Sequence, residues 1–280
     1  MAKTLRALAL IPFCALALAA QALPLVPEDT APARGPWKVD LGAMILAMPA
    51  APGAQETRVL PLPVFSAEYM DRYYLGSSRI GVGLGGGVHA WRSGPFLWDL
   101  GLGAGEGRRE SRADELAGMG DRSASLFGGT ALRYQSGILH GGLSLAVGLR
   151  EGAGVRGTLS LGVGGPLGGR WSGGVTGYAT VVNAEANSYD FGIDPDQAAA
   201  RAALIASGDP RLRPGEARVW APGGGLQDLA LGTHLDYRVD AHWRWFALAR
   251  EAWLQGDAKD SPLVRKPDEF TCGLGFAYRF

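Results

Sequence analysis

Residues 270–280 alternate strictly between two kinds of side chain, which is the pattern of a β-strand with two different faces. Residue 280 is an aromatic residue on the apolar face. Outer-membrane barrels commonly end in this way, with a last strand that closes on the first and is recognised by the barrel-insertion machinery. The apolar face carries Phe270, Cys272, Leu274, Phe276, Tyr278 and Phe280, and the other face carries Thr271, Gly273, Gly275, Ala277 and Arg279. We therefore expect closure and insertion to depend on Phe270, Leu274, Phe276, Tyr278 and Phe280.

The same alternation recurs through the chain, and in the clearest segments the second face is mostly Gly, Ala, Ser and Thr, as suits a crowded barrel lumen. Most segments reach the roughly 9–11 residues that a tilted strand needs to cross a bilayer. The pattern predicts an all-β, transmembrane, antiparallel up-and-down β-barrel over 36–280. About twelve strands are expected, and ten is the alternative because the third is short; they lie near 36–47, 57–68, 72–76, 79–91, 95–105, 122–135, 139–150, 154–165, 170–182, 226–239, 242–254 and 269–280.

The lengths of the connections support the barrel independently. The connections near 92–94, 136–138, 166–169 and 240–241 are short, whereas those at 106–121, 183–225 and 255–268 are long. Short and long connections fall on opposite ends of the predicted barrel. If both termini are periplasmic, the long connections are the outer loops.

One helix is predicted in the longest outer loop, over 194–207. Asp194 is in the capping position, Pro195 takes the first helical position, and Gln197 completes a capping box. An Ala-rich run follows, and Ser207-Gly208-Asp209-Pro210 ends it. The helix either folds over the barrel mouth or lies exposed on the surface.

The first 22 residues have the features of a cleaved signal peptide. Lys3 and Arg6 precede a short apolar run, and Ala20 and Ala22 occupy the two positions that a signal peptidase reads. Residues 23–35 are then an N-terminal periplasmic segment. No later run is apolar and long enough for a transmembrane helix, so we expect an exported protein of the cell outer membrane.

Composition excludes several functional classes. The 27 basic and 27 acidic residues balance, and no basic stripe indicates a nucleic-acid partner. Only Cys272 remains after the predicted cleavage, so neither an intrachain disulfide nor a Cys-rich metal site is expected. We expect no cofactor and no metal, and the expected surroundings are outer-membrane lipid and lipopolysaccharide.

Motifs that carry chemistry are weak in this sequence. Residues 81–86 match the Gly-x-Gly-x-x-Gly dinucleotide fingerprint, but a strand continues after them where the fingerprint needs a helix. The four histidines, His89, His140, His234 and His242, have no zinc-ligand spacing. An outer-leaflet lipid-modifying enzyme remains an alternative, and it would need a His-based cluster at the outer rim.

Several stretches resemble the MipA/OmpV family of outer-membrane proteins, in family order. The sequence departs from the family pattern at two positions: Asp190, between Tyr189 and Phe191, and Arg122, directly after Asp121. The stretches are Leu60-Pro61-Leu62-Pro63 with Tyr69 and Tyr73-Tyr74-Leu75; Arg108-Arg109-Glu110 with Leu116-Ala117-Gly118-Met119-Gly120-Asp121; Tyr189-Asp190-Phe191-Gly192-Ile193 with Gln197-Ala198; Gly256-Asp257-Ala258-Lys259-Asp260-Ser261-Pro262-Leu263-Val264; and Gly275-Phe276-Ala277-Tyr278-Arg279-Phe280.

The resemblance implies a non-enzymatic scaffold that joins a lytic transglycosylase, which degrades murein, to a bifunctional murein synthase. The family has no agreed catalytic residues, so none is transferred. A small-solute channel or an adhesion barrel is the alternative function.

Overall fold

The computed structural model describes residues 35–280, so the predicted signal peptide, with Ala20 and Ala22, and nearly all of the segment 23–35 lie outside the described residues. Twelve antiparallel strands form one closed barrel in sequence order, and the last strand pairs with the first. The strands are β1 (Trp37–Pro49), β2 (Thr57–Tyr69), β3 (Tyr73–Ser77), β4 (Leu84–Ser93), β5 (Phe96–Gly105), β6 (Ser125–Ser136), β7 (Leu139–Gly148), β8 (Val155–Gly168), β9 (Trp171–Val182), β10 (Gly225–Arg238), β11 (Trp243–Leu254) and β12 (Asp268–Arg279).

Three α-helices lie in the long loops of the described chain: α1 (Ala184–Phe191), α2 (Pro195–Ala206) and α3 (Gly256–Lys259). The predicted helix is α2, and both hydrogen bonds of its capping box, between Asp194 and Gln197, are present. The expectation of one helix was too low. Asn183 caps the N-terminus of α1, and its side chain accepts from the amide of Ala186; α3 spans a single turn.

The predicted twelve-strand barrel is confirmed, but β4 begins at Leu84 and not at residue 79. Gly81 and Gly83 adopt positive φ angles of 80° and 55°, a region that favours glycine. The chain therefore leaves the wall after β3, and segment 78–83 turns into the lumen. Ile80 and Val82 of this segment are each 1% exposed and pack with Phe127 of β6.

The connections divide the barrel into two ends. The short-turn end is formed by turns 70–72, 94–95, 137–138, 169–170 and 239–242. The long-loop end is formed mainly by loops 106–124, 183–224 and 255–267. The exterior between them carries exposed apolar side chains such as Ile45, Leu143 and Leu161. None of the helices in residues 35–280 is long and apolar enough to span a membrane.

Aromatic pairs on neighbouring strands surround the short-turn end. Ring centroids lie 4.5–5.2 Å apart in Trp37–Tyr69, Trp171–Tyr237, Trp243–Tyr278 and Phe96–Tyr134. An apolar belt bordered by such rings is typical of a barrel that crosses a bilayer, because these side chains prefer the membrane–water interface.

Candidate functional site: the lumen and its cap

Ion pairs between neighbouring strands lie on the inner face of the wall near the short-turn end. Arg279 donates to both carboxylate oxygens of Asp40, at 2.8 and 2.9 Å. Arg133 donates to the fully buried Asp99 at 2.6 Å, and His89 contacts the other oxygen of that carboxylate. These paired side chains therefore place charged groups inside this end of the barrel.

The histidines do not form the outer-rim cluster that the enzyme alternative needs. His89, His140 and His234 point into the lumen toward the short-turn end, and His242 lies in a short turn. Nε2 of His140 is 2.8 Å from the hydroxyl oxygen of Thr176. Within residues 35–280, no group of histidine, cysteine and acidic side chains is suited to hold a metal ion.

A cavity of about 480 Å³ occupies the middle of the lumen. Part of its wall is apolar, because a cluster on β1, β2 and β11 points inward: Met44, Leu46, Met48, Leu62, Phe246 and Leu248. Sequence reasoning missed this wall, since barrel lumens are usually polar. The signal was present in β1 and β2, where both alternating faces are apolar.

Guanidinium groups gather where the cavity meets the long-loop end. Arg58 and Arg112 both pair with the carboxylate of Glu106, Arg58 at 3.0 Å. Arg108 also lines the cavity, and its Nη2 donates to the carbonyl of Met119 at 3.2 Å. Its buried Nε and Nη1 have no hydrogen-bond partner among the described residues. Burial, reinforced by nearby Arg122, lowers the pKa of Arg108 to about 10, so it stays charged at neutral pH.

A cap of long loops covers the cavity, and Arg201 of α2 is its central polar residue. The side chain is fully buried and donates to the carbonyls of Glu216, Glu115 and Ala117 at 2.8, 2.7 and 2.9 Å. Arg265 donates to both carboxylate oxygens of Glu216 at 2.8 and 2.7 Å. Two arginines thereby join loops 106–124, 183–224 and 255–267.

The pKa values in the cap follow from this pairing. Burial tends to raise the pKa of Glu216, but hydrogen bonds from Arg265 and from the amide of Arg213 outweigh burial and lower it. The same bond with Glu216 raises the pKa of Arg265. Both partners are therefore charged at neutral pH.

Three of the five segments that carry the family resemblance, at 108–121, 189–198 and 256–264, meet in the cap. Ser261 donates to the carbonyl of Phe191 at 2.7 Å. An apolar cluster joins the same loops and contains Met119, Ile193, Ala198 and Leu263. The sequence left two positions open for the helix at 194–207, over the barrel mouth or exposed on the surface. In the structure this helix lies over the mouth.

The two departures from the family pattern also lie here, close to one another. Asp190 accepts from Arg156 of β8 at 3.0 Å. Arg122 stacks over the ring of Tyr189, with 4.3 Å from the guanidinium carbon to the ring centroid, and it donates to the carbonyl of Tyr189. Both departures therefore join α1 to the wall and to loop 106–124.

Of the residues predicted to serve closure and insertion, Phe270, Leu274, Phe276 and Tyr278 lie on β12, and Phe280 follows directly after it. Phe270, Leu274 and Phe280 are exposed on the outer face, and Phe276 and Tyr278 are half-buried beside Trp243. β12 pairs with β1 from Arg279 opposite Asp40 to Cys272 opposite Ala47. Their recognition by the insertion machinery stays a prediction.

A model of the family described as "MltA-interacting protein MipA" matches residues 41–280, from within β1 to the end of the chain. The chain belongs to the MipA family. The match covers nearly the whole barrel and the entire cap, and it confirms the resemblance found in the sequence. No curated protein matches the chain.

Solved barrels are also similar to this MipA-family chain. One is OmpT of Vibrio cholerae with its loop L8 deleted, at 6% identity and a TM-score of 0.39, over 87% of this chain and 98% of that one. Another is the translocator domain of the autotransporter NalP from Neisseria meningitidis, at 11% identity and a TM-score of 0.38, over 89% of this chain and 90% of that one.

Proposed function

We propose that this chain is a non-enzymatic barrel of the outer membrane that acts by binding other proteins. The family description names an interaction with MltA. The resemblance stated above implies a scaffold that brings a lytic transglycosylase together with a murein synthase, and we propose that role here.

The single observation that carries the proposal is the cap over the lumen at the long-loop end. Arg201 and Arg265 join the loops of this cap, and ion pairs such as Asp40–Arg279 project from the wall into the lumen near the other end. A barrel built in this way is poorly suited to pass solutes. Its capacity for contact with other molecules lies on its surfaces, which favours an interaction protein over the alternative of a small-solute channel.

The orientation of the barrel limits where murein enzymes can bind. The short-turn end faces the periplasm if the predicted export and topology hold, and its turns are only a few residues long. We propose that the predicted segment 23–35, which leads into β1, supplies the remaining contact surface on that side.

Affinity purification tests the scaffold. The intact protein, expressed with its own residues 1–22, should recover a lytic transglycosylase and a murein synthase from solubilised envelopes. A variant with a Gly/Ser linker of equal length in place of 23–34 should recover much less of both enzymes. A variant with the same residues 23–34 in scrambled order controls for composition. Equal recovery with all three proteins would refute a role for the segment, and no recovery with the intact protein would refute scaffolding.

Two further measurements separate the architecture from the role. The folded barrel should resist SDS until boiled and then shift in gel mobility, because its twelve strands pair in one closed ring and no strand can leave without breaking a ladder on each side. In planar bilayers the protein should show no steady ion conductance. Steady conductance by the unmodified protein would favour the channel alternative instead.

A further inference from the structure

The barrel wall is incomplete beside β2. β3 pairs with β2 only at Ala67, Glu68 and Tyr69, and the wall on that side then ends as the chain turns into the lumen at segment 78–83. β2 continues to Thr57, and no strand of residues 35–280 pairs with this side of it between 57 and 66. At roughly 3.3 Å per residue, the unpaired edge is about 30 Å long.

Along β2, backbone groups point alternately to one side and the other, so the residue number shows which groups line this edge. The carbonyl of Glu56 accepts from Ala50, and the amide of Met70 donates to Pro36, so even-numbered residues direct their backbone groups toward β1. Odd-numbered residues therefore face the opposite side. In agreement, a Cβ placed on Gly76 of β3 would lie 2.9 Å from the carbonyl oxygen of Phe65.

Two of the odd-numbered positions on the unpaired edge are Pro61 and Pro63, which have no amide hydrogen. An unpaired N–H in lipid costs several kcal/mol, so proline is the residue best suited to an edge at membrane depth. Proline also prevents another strand from pairing there. The edge is built to stay open, and a β-strand is a poor occupant.

Behind this edge lies the apolar part of the lumen cavity. Met44, Met48, Val64 and Ile80 line it. Leu75, whose side chain is exposed on the outer face of β3, lines the same cavity, as does Phe65 on the outer face of β2. The cavity therefore lies directly behind the unpaired edge of β2, and outside that edge the surrounding phase of a membrane barrel is hydrocarbon.

Charge at the other end of the cavity suggests the polar part of an occupant. Arg58 and Arg112 share the single carboxylate of Glu106, and Arg108 adds a third guanidinium with two buried nitrogens that lack partners in the described chain. The charged neighbours of Arg108 are Arg122, Asp190 and Asp194, and its two unpartnered nitrogens can donate to an acidic group, since guanidinium binds carboxylate or phosphate well.

We propose that the gap between β2 and β3 is a lateral window through which one acyl chain of an acidic amphiphile from the surrounding bilayer enters the lumen. The chain lies against Met44, Met48 and Ile80, and the acidic head group binds Arg108. The cavity is in the lower part of the roughly 300–1,000 Å³ range of ligand pockets, which suits one chain and not a whole multi-chain lipid. The inference does not depend on the proposed scaffolding role.

Photo-crosslinking on the unmodified protein tests the window directly. The probe is palmitic acid with a diazirine near its methyl end, added to the protein refolded in phosphatidylcholine vesicles. Adducts on the lumen-facing Met44, Met48 or Ile80, mapped by mass spectrometry, are expected. Adducts confined to outward residues such as Ile45 would overturn the proposal.

Arg108→Gln tests the head-group contact. The affinity for palmitic acid should fall roughly 10-fold to 150-fold, since a hydrogen bond to a charged group contributes about 1.5–3 kcal/mol. The affinity for hexadecanol, which has the same chain and no charge, should change little. Arg109→Gln, at the exposed neighbouring position, is the matched control, and heat-modifiability verifies folding of each variant. Equal loss for acid and alcohol, or no loss for either, would refute the assignment of Arg108.

Discussion

Arg201→Met should release the cap while leaving the barrel folded. Arg201 makes three hydrogen bonds to backbone carbonyls, at 2.7–2.9 Å, with no exposure to solvent. Methionine fills similar volume but leaves these buried carbonyls without donors. Glu216 keeps Arg265 as its partner, so no unpaired carboxylate is created. Removal of a buried charged donor of this kind costs about 3–5 kcal/mol.

Hydrogen exchange followed by mass spectrometry measures this loss. Amides of α2 and of residues 113–120 should lose protection by roughly 100-fold to 4,000-fold, since about 1.4 kcal/mol corresponds to a tenfold change. Amides in β6 and β10 should keep theirs, because the strand ladder does not depend on the cap. The gel shift on boiling should also persist.

Arg211→Met provides the matched control in the same loop. Arg211 is partly exposed and pairs with the nearby Asp209, so its removal should change cap protection by less than a factor of about three, as expected for a surface ion pair. Equal protection in the Arg201 variant and the wild type would refute the view that this arginine holds the cap. Loss of protection in the strands would show that cap and barrel unfold together.

The cap should also open in acid before the barrel does. The folded pKa of Glu216 lies below its ordinary value of 4.5. Its pairing with Arg265 therefore stabilises the cap fully above pH 4.5, and this stabilisation is lost as the pH falls through the folded pKa. Limited proteolysis between pH 7 and pH 3 should detect the opening, and the cap of Glu216→Gln should be open already at pH 7. Replacing both Pro61 and Pro63 by threonine should add two unpaired donors to the β2 edge and produce SDS-resistant dimers on unboiled gels. Val59→Thr, on the same edge without a new N–H, should stay monomeric, and dimers of this control would show that polarity alone causes association.

Sequence patterning predicted the barrel well because its signals are local. Alternation along β12, and the segregation of short turns from long loops, need no knowledge of distant contacts. The start of β4 was placed wrongly for a local reason as well: the glycines of residues 81–87 continue an extended pattern, whereas the positive φ of Gly81 and Gly83 is visible only in the structure.

The candidate sites were harder to predict because they depend on contacts between distant residues. Arg201 bonds to Glu115, 86 positions away, and nothing in an Ala-rich helix indicates that its one arginine is buried. The apolar wall around Met44 was within reach, since both faces of β1 are apolar. The lateral window was harder to predict from the sequence. Pro61 and Pro63 were recognised only as part of a family stretch, and their position on an unpaired edge depends on the shortness of β3.

The contact of the β1–β2 connection, residues 50–56, with loop 255–267 and β12 has a consequence for assembly. Gly53, between β1 and β2, donates to Glu269 of β12, and its carbonyl accepts from the amides of Arg265 and Lys266. These partners are more than 200 residues apart, so they meet only after a large loop closes. The cap therefore cannot be completed while the C-terminal strand is still missing. A barrel that stalls during insertion should have an open mouth, and probes of the cap should report completed assembly.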